Sequence, residues 1–239
     1  MKLIIGPSHL KTELDFEIFR KVGSIVTVGG RLGFFNKVGV YLSGGIDSLA
    51  LLCLILSDLR SAHRLKTTPV ICFTVAKSDG PTYYVPRLIQ KVEEHFNCKL
   101  IHVNDIPNDL EPDKTGDMAP NAVKFVTEYA PNMITYMGIN RMAPDDIRPF
   151  KQRLRIDYGY STTTPKFSAP FLFLHKPHIL DLLYKLGCED LLQYTHSCTV
   201  LPDGACGECY SCAERKWGFD ALGKIDPGTT PVIALPLHT

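Results

Sequence analysis

The stretch Tyr41–Leu56, YLSGGIDSLALLCLIL, constrains this chain more than any other. Val38–Leu42 reads as a short apolar strand and Leu49–Arg60 as a mostly apolar, largely buried helix, so the chain must turn within SGGIDS. Gly44 and Gly45 permit a sharp turn and let the backbone approach a ligand with no Cβ in the way. The following helix offers unpaired N–H groups and the positive end of its dipole, a site for an anion such as phosphate. Ser43 and Ser48 add hydroxyl donors, and Ile46 completes the turn into the helix. Asp47 is out of place beside an anion; a magnesium ion between its carboxylate and the phosphates resolves the conflict. The plainer alternative is a glycine turn with Asp47 as a helix-start residue. The loop is neither G-x-x-x-x-G-K-[ST] nor G-x-G-x-x-G, and it contains no lysine.

The rest of the first half repeats the strand–helix alternation. Pro69–Val75, Lys99–Val103 and Met133–Gly138 read as further strands, and Val85–Phe96 and Asn121–Tyr129 as helices, with a polar loop over Ile106–Met118. Continuous apolar strands between helices predict an α/β fold: a parallel sheet flanked by helices on both faces, with ligands beyond the carboxyl ends of its strands. Residues 1–37 form an accessory N-terminal segment, in which Ser24–Val28 and Leu32–Phe35 flank a Gly29-Gly30 turn as a hairpin. Residues 38–143 are expected to form the domain that carries this phosphate-binding loop. Residues 144–239 carry helices at Asp145–Ile156 and Pro177–Leu186, separated by a loop over Gly159–Pro165. This second half packs on the first, because no linker divides them.

With 239 residues, 45% hydrophobic and 21% charged, the chain has enough apolar sequence for a substantial core. A formal net charge of +1 gives no global electrostatic case for nucleic acid or membrane as main partner. No apolar run reaches membrane-spanning length and the N-terminus does not read as a secretion signal, so the expected location is cytoplasmic. Of eight cysteines, Cys53, Cys72, Cys98 and Cys188 lie among apolar neighbours and read as small buried hydrophobes. The other four crowd together. Cys198, Cys206, Cys209 and Cys212 follow a C-x7-C-x2-C-x2-C spacing with glycines at the turns, which suits a tetrahedral thiolate site and points to structural zinc. An iron–sulfur cluster also accepts four thiolates. A redox-active C-x2-C pair or free thiols is the remaining reading, and His196 is a less favoured substitute ligand.

SGGIDS resembles the pyrophosphate loop of the PP-loop (N-type) ATP pyrophosphatases, of adenine nucleotide α-hydrolase-like fold. With SAPFLFLHKPHILDLLYKLG at Ser168–Gly187 and CGECYSCAERKWGF at Cys206–Phe219, the chain is similar to the 7-cyano-7-deazaguanine synthase family. That resemblance implies a carbon–nitrogen ligase of queuosine biosynthesis. Such an enzyme converts 7-carboxy-7-deazaguanine and ammonia to the amide or nitrile, with ATP cleaved to AMP and pyrophosphate. It implies Ser43 and Asp47 as catalytic residues. It also implies Ser43, Gly44, Gly45, Ile46, Asp47, Ser48 and Lys176 as the ATP site, and Cys198, Cys206, Cys209 and Cys212 as zinc ligands. The cofactors implied are ATP, Mg2+ and Zn2+. Asp145 and Arg148, in APDDIRPF, are the counterparts of the family's substrate-binding residues: Asp145 for the amino face of a guanine-like ring, Arg148 for a carboxylate. Departures fall mainly in the middle. APDDIRPF only loosely matches the family's segment, APNAVKF at Ala119–Phe125 lacks the family's arginine, and the first cysteine spacing is one residue short. Three other functions fit parts of the pattern: tRNA thiolation, transfer of a deazapurine to another acceptor, and a non-catalytic nucleotide-binding zinc module. Arg215 is read as supporting the fold or reaching the nucleotide. The basic run Arg148, Lys151, Arg153 and Arg155 is read as a solvated helix face. A homodimer is left open.

Overall fold

The computed structural model describes residues 1–16, 25–28, 31–75, 80–106, 128, 132–144, 147 and 167–231. The chain opens with two antiparallel pairs, β1 (Lys2–Ile5) with β2 (Thr12–Asp15) and β3 (Ile25–Val28) with β4 (Arg31–Phe34). It continues through β5 (Lys37–Tyr41), α1 (Ile46–Ser61), β6 (Val70–Val75), α2 (Val85–Phe96), β7 (Ile101–Ile106), β8 (Met133–Tyr136) and β9 (Phe167–Ser168). It ends with α3 (Lys176–Lys185) and α4 (Tyr210–Leu222), and short 3-10 turns precede α2 and follow α3.

Five strands form one sheet in the order β7-β6-β5-β8-β9, and every neighbouring pair is parallel. The fold is therefore α/β with a parallel sheet and flanking helices, as the alternation of apolar runs predicts. From β5 the chain steps outward to β6 and β7, then returns to the other side of β5 to add β8. The carboxyl end of β5 thus lies where the strand order reverses, the place where open parallel sheets leave a crevice.

The strands are apolar on both faces, as a covered sheet requires. Val38, Val40, Val70 and Cys72 join α1, α2 and α3 in the main core, while Tyr41, Ile71, Phe73, Met133 and Met137 cluster on the opposite face. Helix α1 is the centre of the main core. Twelve of its sixteen residues are buried, so it behaves as an internal helix rather than an amphipathic surface one. Each fully buried Leu or Ile stabilises by about 1.5–3 kcal/mol, so this helix is firmly anchored and its N-terminus is well placed. Helix α2 buries Val85, Leu88, Ile89, Val92 and Phe96, the set its helical spacing predicts, and stops at Asn97 in the left-handed region.

Several boundaries differ from the sequence reading. Helix α1 begins at Ile46 rather than Leu49, so Ile46, Asp47 and Ser48 form its first turn. Helix α3 begins at Lys176, one residue before Pro177, with His178 Nδ1 accepting from the His175 N–H at 3.1 Å. β7 runs on to Ile106 through two polar residues. β3 and β4 pair antiparallel, with the expected Gly29-Gly30 turn outside the described residues, whereas the β1–β2 pair was not foreseen. That pair is tied to α3: the Gly6 N–H donates to Asp181 Oδ2 at 2.8 Å, and His178 Nε2 contacts the Leu10 carbonyl. The expected helices at 121–129 and 145–156 and the loop at 159–165 lie almost wholly outside the described residues. Among the described residues no helix is long and apolar enough to cross a membrane.

Candidate functional site: a glycine loop, a buried lysine and four cysteines

The chain leaves the central strand β5, turns through Ser43–Gly45 and enters α1. Gly44 has φ +86°, and a Cβ there would lie 1.9 Å from the Pro81 carbonyl oxygen. Glycine is needed at this position for the backbone's own packing as well as for the turn. Gly45 caps α1 without any side-chain hydrogen bond to the helix, so no capping side chain competes with an external anion for the first-turn N–H groups. The two serines brace the loop. Ser48 Oγ lies 3.1 Å from Ser43 Oγ, accepts from the Ser43 N–H at 3.2 Å, and is 3.1 Å from the Gly45 carbonyl.

The loop contains no lysine, but the fold supplies one from 129 residues away. Lys176 Nζ donates to both oxygens of Asp47, at 2.5 and 2.6 Å. On its other side it lies 3.1 Å from Glu214 Oε2. Lys176 is only 5% exposed, so it is a buried group and not a surface lysine at a helix start. Its stem runs over α4 at Gly218, where a Cβ would come within 2.7 Å of Lys176 Cγ and of Leu180 Cδ1. Burial disfavours the ammonium, but Asp47 and Glu214 outweigh it, and the Lys176 pKa is raised. Burial also raises the Asp47 carboxyl; Lys176 pulls it down and Glu214 pushes it up, with a net rise. Burial is the main cause of the rise, and the sharing of one ammonium by two carboxyls adds to it. Asp47, at 23% side-chain exposure, keeps access to whatever binds at the loop.

Each group implied for the site meets a donor set of the right chemistry. A phosphate chain would find the uncapped N–H groups of α1, two hydroxyls and an ammonium; a magnesium ion would find the Asp47 carboxylate. Asp145 and Arg148, the expected substrate residues, lie outside the described residues.

The sulfur atoms of Cys198, Cys206, Cys209 and Cys212 all lie within 4.8 Å of one another. Zinc–sulfur bonds of about 2.3 Å in a tetrahedron put sulfurs about 3.8 Å apart, and Cys206 and Cys212 are 3.9 Å apart. Backbone N–H groups point at three of the sulfurs: Leu201 to Cys198 (3.2 Å), Cys209 to Cys206 (3.3 Å) and Cys212 to Cys209 (3.4 Å). Burial resists a charge on Cys209, but donors from Thr199 and Cys212 outweigh it and bring the thiol down to about 6. The donor set fits a thiolate-bound metal. Cys209 also caps α4, so the cluster sits at the head of the helix that carries Glu214 and Arg215.

His196 is not part of the sulfur group. Its Nε2 pairs with the Leu201 carbonyl at 2.9 Å, its ring stacks on Tyr84, and its N–H donates to the Gly44 carbonyl at 3.0 Å, so it supports the loop from behind. Arg215 supports the fold. It is buried, forms a two-pronged pair with Asp226 at 2.7 and 2.8 Å, and donates to Thr195 Oγ1 and the Gly228 carbonyl. Cys53, Cys72, Cys98 and Cys188 are buried, as expected. Glu214, Tyr210 and Asn140 were missed by sequence reasoning. The CxxR spacing drew attention to the cysteines and the arginine and gave no signal for the glutamate between them.

The family model described as queuosine biosynthesis protein QueC matches residues 134–223, from β8 to the end of α4. A 7-cyano-7-deazaguanine synthase of Acinetobacter baylyi is 25% identical, covering 84% of this chain and 97% of that protein. One from Leptospira interrogans is 27% identical, covering 79% of this chain and 88% of that protein. Among solved structures, the U34-tRNA thiolase NcsA from Methanococcus maripaludis, with its [4Fe-4S] cluster, aligns with a TM-score of 0.42 and 17% identity. That alignment covers 87% of this chain and 71% of that one. The iron–sulfur cluster belongs to that protein, and so partial a likeness says nothing about the metal here. The chain is thus similar over most of its length to 7-cyano-7-deazaguanine synthases, and its residues from β8 to the end of α4 match the QueC family model.

Proposed function

We propose that the chain is an ATP-dependent synthase of queuosine biosynthesis that activates 7-carboxy-7-deazaguanine on its carboxylate and passes the activated carbon to ammonia. The observation that carries this reading is the meeting of Lys176 and Asp47 at the head of α1, beyond the central strand. A carboxylate has no usable leaving group, and AMP provides one. The carboxylate oxygen attacks the α-phosphorus of ATP and pyrophosphate departs. Ammonia then displaces AMP to leave the amide, and a second activation at the amide oxygen, followed by loss of AMP, gives the nitrile.

The protein's share is positioning and charge stabilisation. The N–H groups of α1 and the hydroxyls of Ser43 and Ser48 hold the departing pyrophosphate, with Gly44, Gly45 and Ile46 shaping the turn. Lys176 offsets the charge that develops on it. Asp47 holds magnesium, which neutralises phosphate charge when bound. Asp145 and Arg148 recognise the deazapurine ring and its carboxylate. Cys198, Cys206, Cys209 and Cys212 hold a structural zinc ion that fixes the start of α4.

The test is mass spectrometry of small molecules after incubating the purified protein with ATP, magnesium, ammonium and 7-carboxy-7-deazaguanine. AMP together with the amide or the nitrile is expected. A protein that binds ATP and zinc but yields neither product refutes this substrate assignment.

A further inference from the structure

The proposed reaction leaves Glu214 without a role, yet it is among the most tightly held polar groups near the loop. Its side chain is 7% exposed. One oxygen, Oε1, accepts from Asn140 Nδ2 and from the Tyr210 hydroxyl, both at 3.0 Å. The Tyr210 oxygen in turn accepts from the Ala143 N–H at 2.9 Å. The other oxygen, Oε2, faces Lys176 Nζ at 3.1 Å. Glu214 is thus fixed between α4 and the segment after β8, while Asp47, across the same ammonium, is more exposed.

Two carboxylates around one ammonium leave the cluster with a net negative charge, next to a helix end that favours anions. Such an arrangement is poised for a cation to arrive with the phosphates. For Asp47 to give an oxygen to that cation it must loosen its two-pronged grip on Lys176. Without a second anchor the ammonium would follow Asp47 and compete with the ion.

We propose that Glu214 is a positioning residue for the nucleotide reaction: braced by Asn140 and Tyr210, it retains the Lys176 ammonium and frees Asp47 for the magnesium that accompanies ATP. This rests on the ATP-activating function proposed above. A purely structural Glu214, one that only neutralises a buried lysine, would affect folding and leave magnesium dependence alone.

The experiment is calorimetric binding of α,β-methylene-ATP to the zinc-loaded full chain across a magnesium titration. In Glu214→Gln the ammonium is expected to collapse onto Asp47. The magnesium needed for half-maximal nucleotide binding should then rise about tenfold or more, the loss expected for one charged hydrogen bond. Affinity at saturating magnesium should stay within about threefold of the parent, with zinc content unchanged. Tyr210→Phe, which removes one of the two bonds on Glu214 Oε1, should shift the midpoint in the same direction by less; it carries the test if Glu214→Gln does not fold. An unshifted midpoint in the variant that folds overturns the proposal, as does nucleotide binding by the parent that is indifferent to magnesium. A parent chain that binds no nucleotide at any magnesium concentration overturns the ATP-activating function itself.

Discussion

Replacing Lys176 by methionine keeps most of the stem that packs over Gly218 and removes the charge between Asp47 and Glu214. Breaking a buried ion pair by deleting one partner typically costs 3–5 kcal/mol, because the remaining charge is left buried and uncompensated. Here two carboxylates are left, at 23% and 7% side-chain exposure. The partial exposure of Asp47 and the ability of its carboxyl to take up a proton bring the expected loss to the lower end, about 3 kcal/mol at neutral pH. For a chain of this size that is about 6–12 °C in Tm. The pH dependence carries the sharper signature. Burial already raises the Asp47 carboxyl in the parent, and removing Lys176 takes away the charge that lowers it, so in the folded variant it lies further above its unfolded value of about 4. The folded state then holds a proton that the unfolded state has shed, so stability falls as pH rises between those two values. The deficit against the parent should be small near pH 4–5, grow as pH rises, and reach full size once the folded Asp47 carboxyl has ionised. Urea unfolding of both proteins, zinc-loaded, at intervals from pH 5 to 8 reads this directly. A deficit independent of pH, or no deficit at pH 7.5, would refute the reasoning that Lys176 is held as the counter-charge of a buried carboxylate pair.

Four other outcomes follow from the structure. Gly44→Ala places a Cβ on the Pro81 carbonyl and forces a left-handed φ on alanine; a loss of about 2 kcal/mol or more is expected, together with weakened nucleotide binding, measured by thermal unfolding and calorimetry. Arg215→Lys exchanges a two-pronged pair with Asp226 for a single contact and should cost about 1–2 kcal/mol, read from the urea midpoint. Stripping the metal with a chelator should lower Tm and helical circular dichroism, since Cys209 both caps α4 and belongs to the sulfur group. Burial pushes the Cys212 thiol up to about 12, so metal uptake at neutral pH should release a proton from it and affinity should rise with pH; reloading in an unbuffered solution with a pH electrode checks this.

What could be read from the sequence followed a simple division. Elements built from apolar residues at a clear period were legible: β5, β6 and β8 as continuous apolar runs, and α2 to the residue from its helical spacing. The glycine loop and the cysteine spacing were legible because few residues can do their work. Helix α4 was not, because the residues it buries include Glu214 and Arg215, charged side chains that read as a solvated face until their partners are known. Its start is set by a thiol cap rather than by a serine or aspartate. The first turn of α1 was assigned to the loop because Asp47 and Ser48 are polar, although serine and aspartate suit the beginning of a helix. The link between Lys176 and Asp47 spans 129 residues, and no local pattern encodes it. It follows from α3 packing against α1 and α4, which is a property of the assembled core.

The most direct test of the central claim is 31P NMR of ATP turnover by the zinc-loaded protein with and without 7-carboxy-7-deazaguanine. Signals of AMP and pyrophosphate that grow only when the carboxylate is present are expected. ADP and inorganic phosphate as products, or AMP formed equally without the carboxylate, would contradict it.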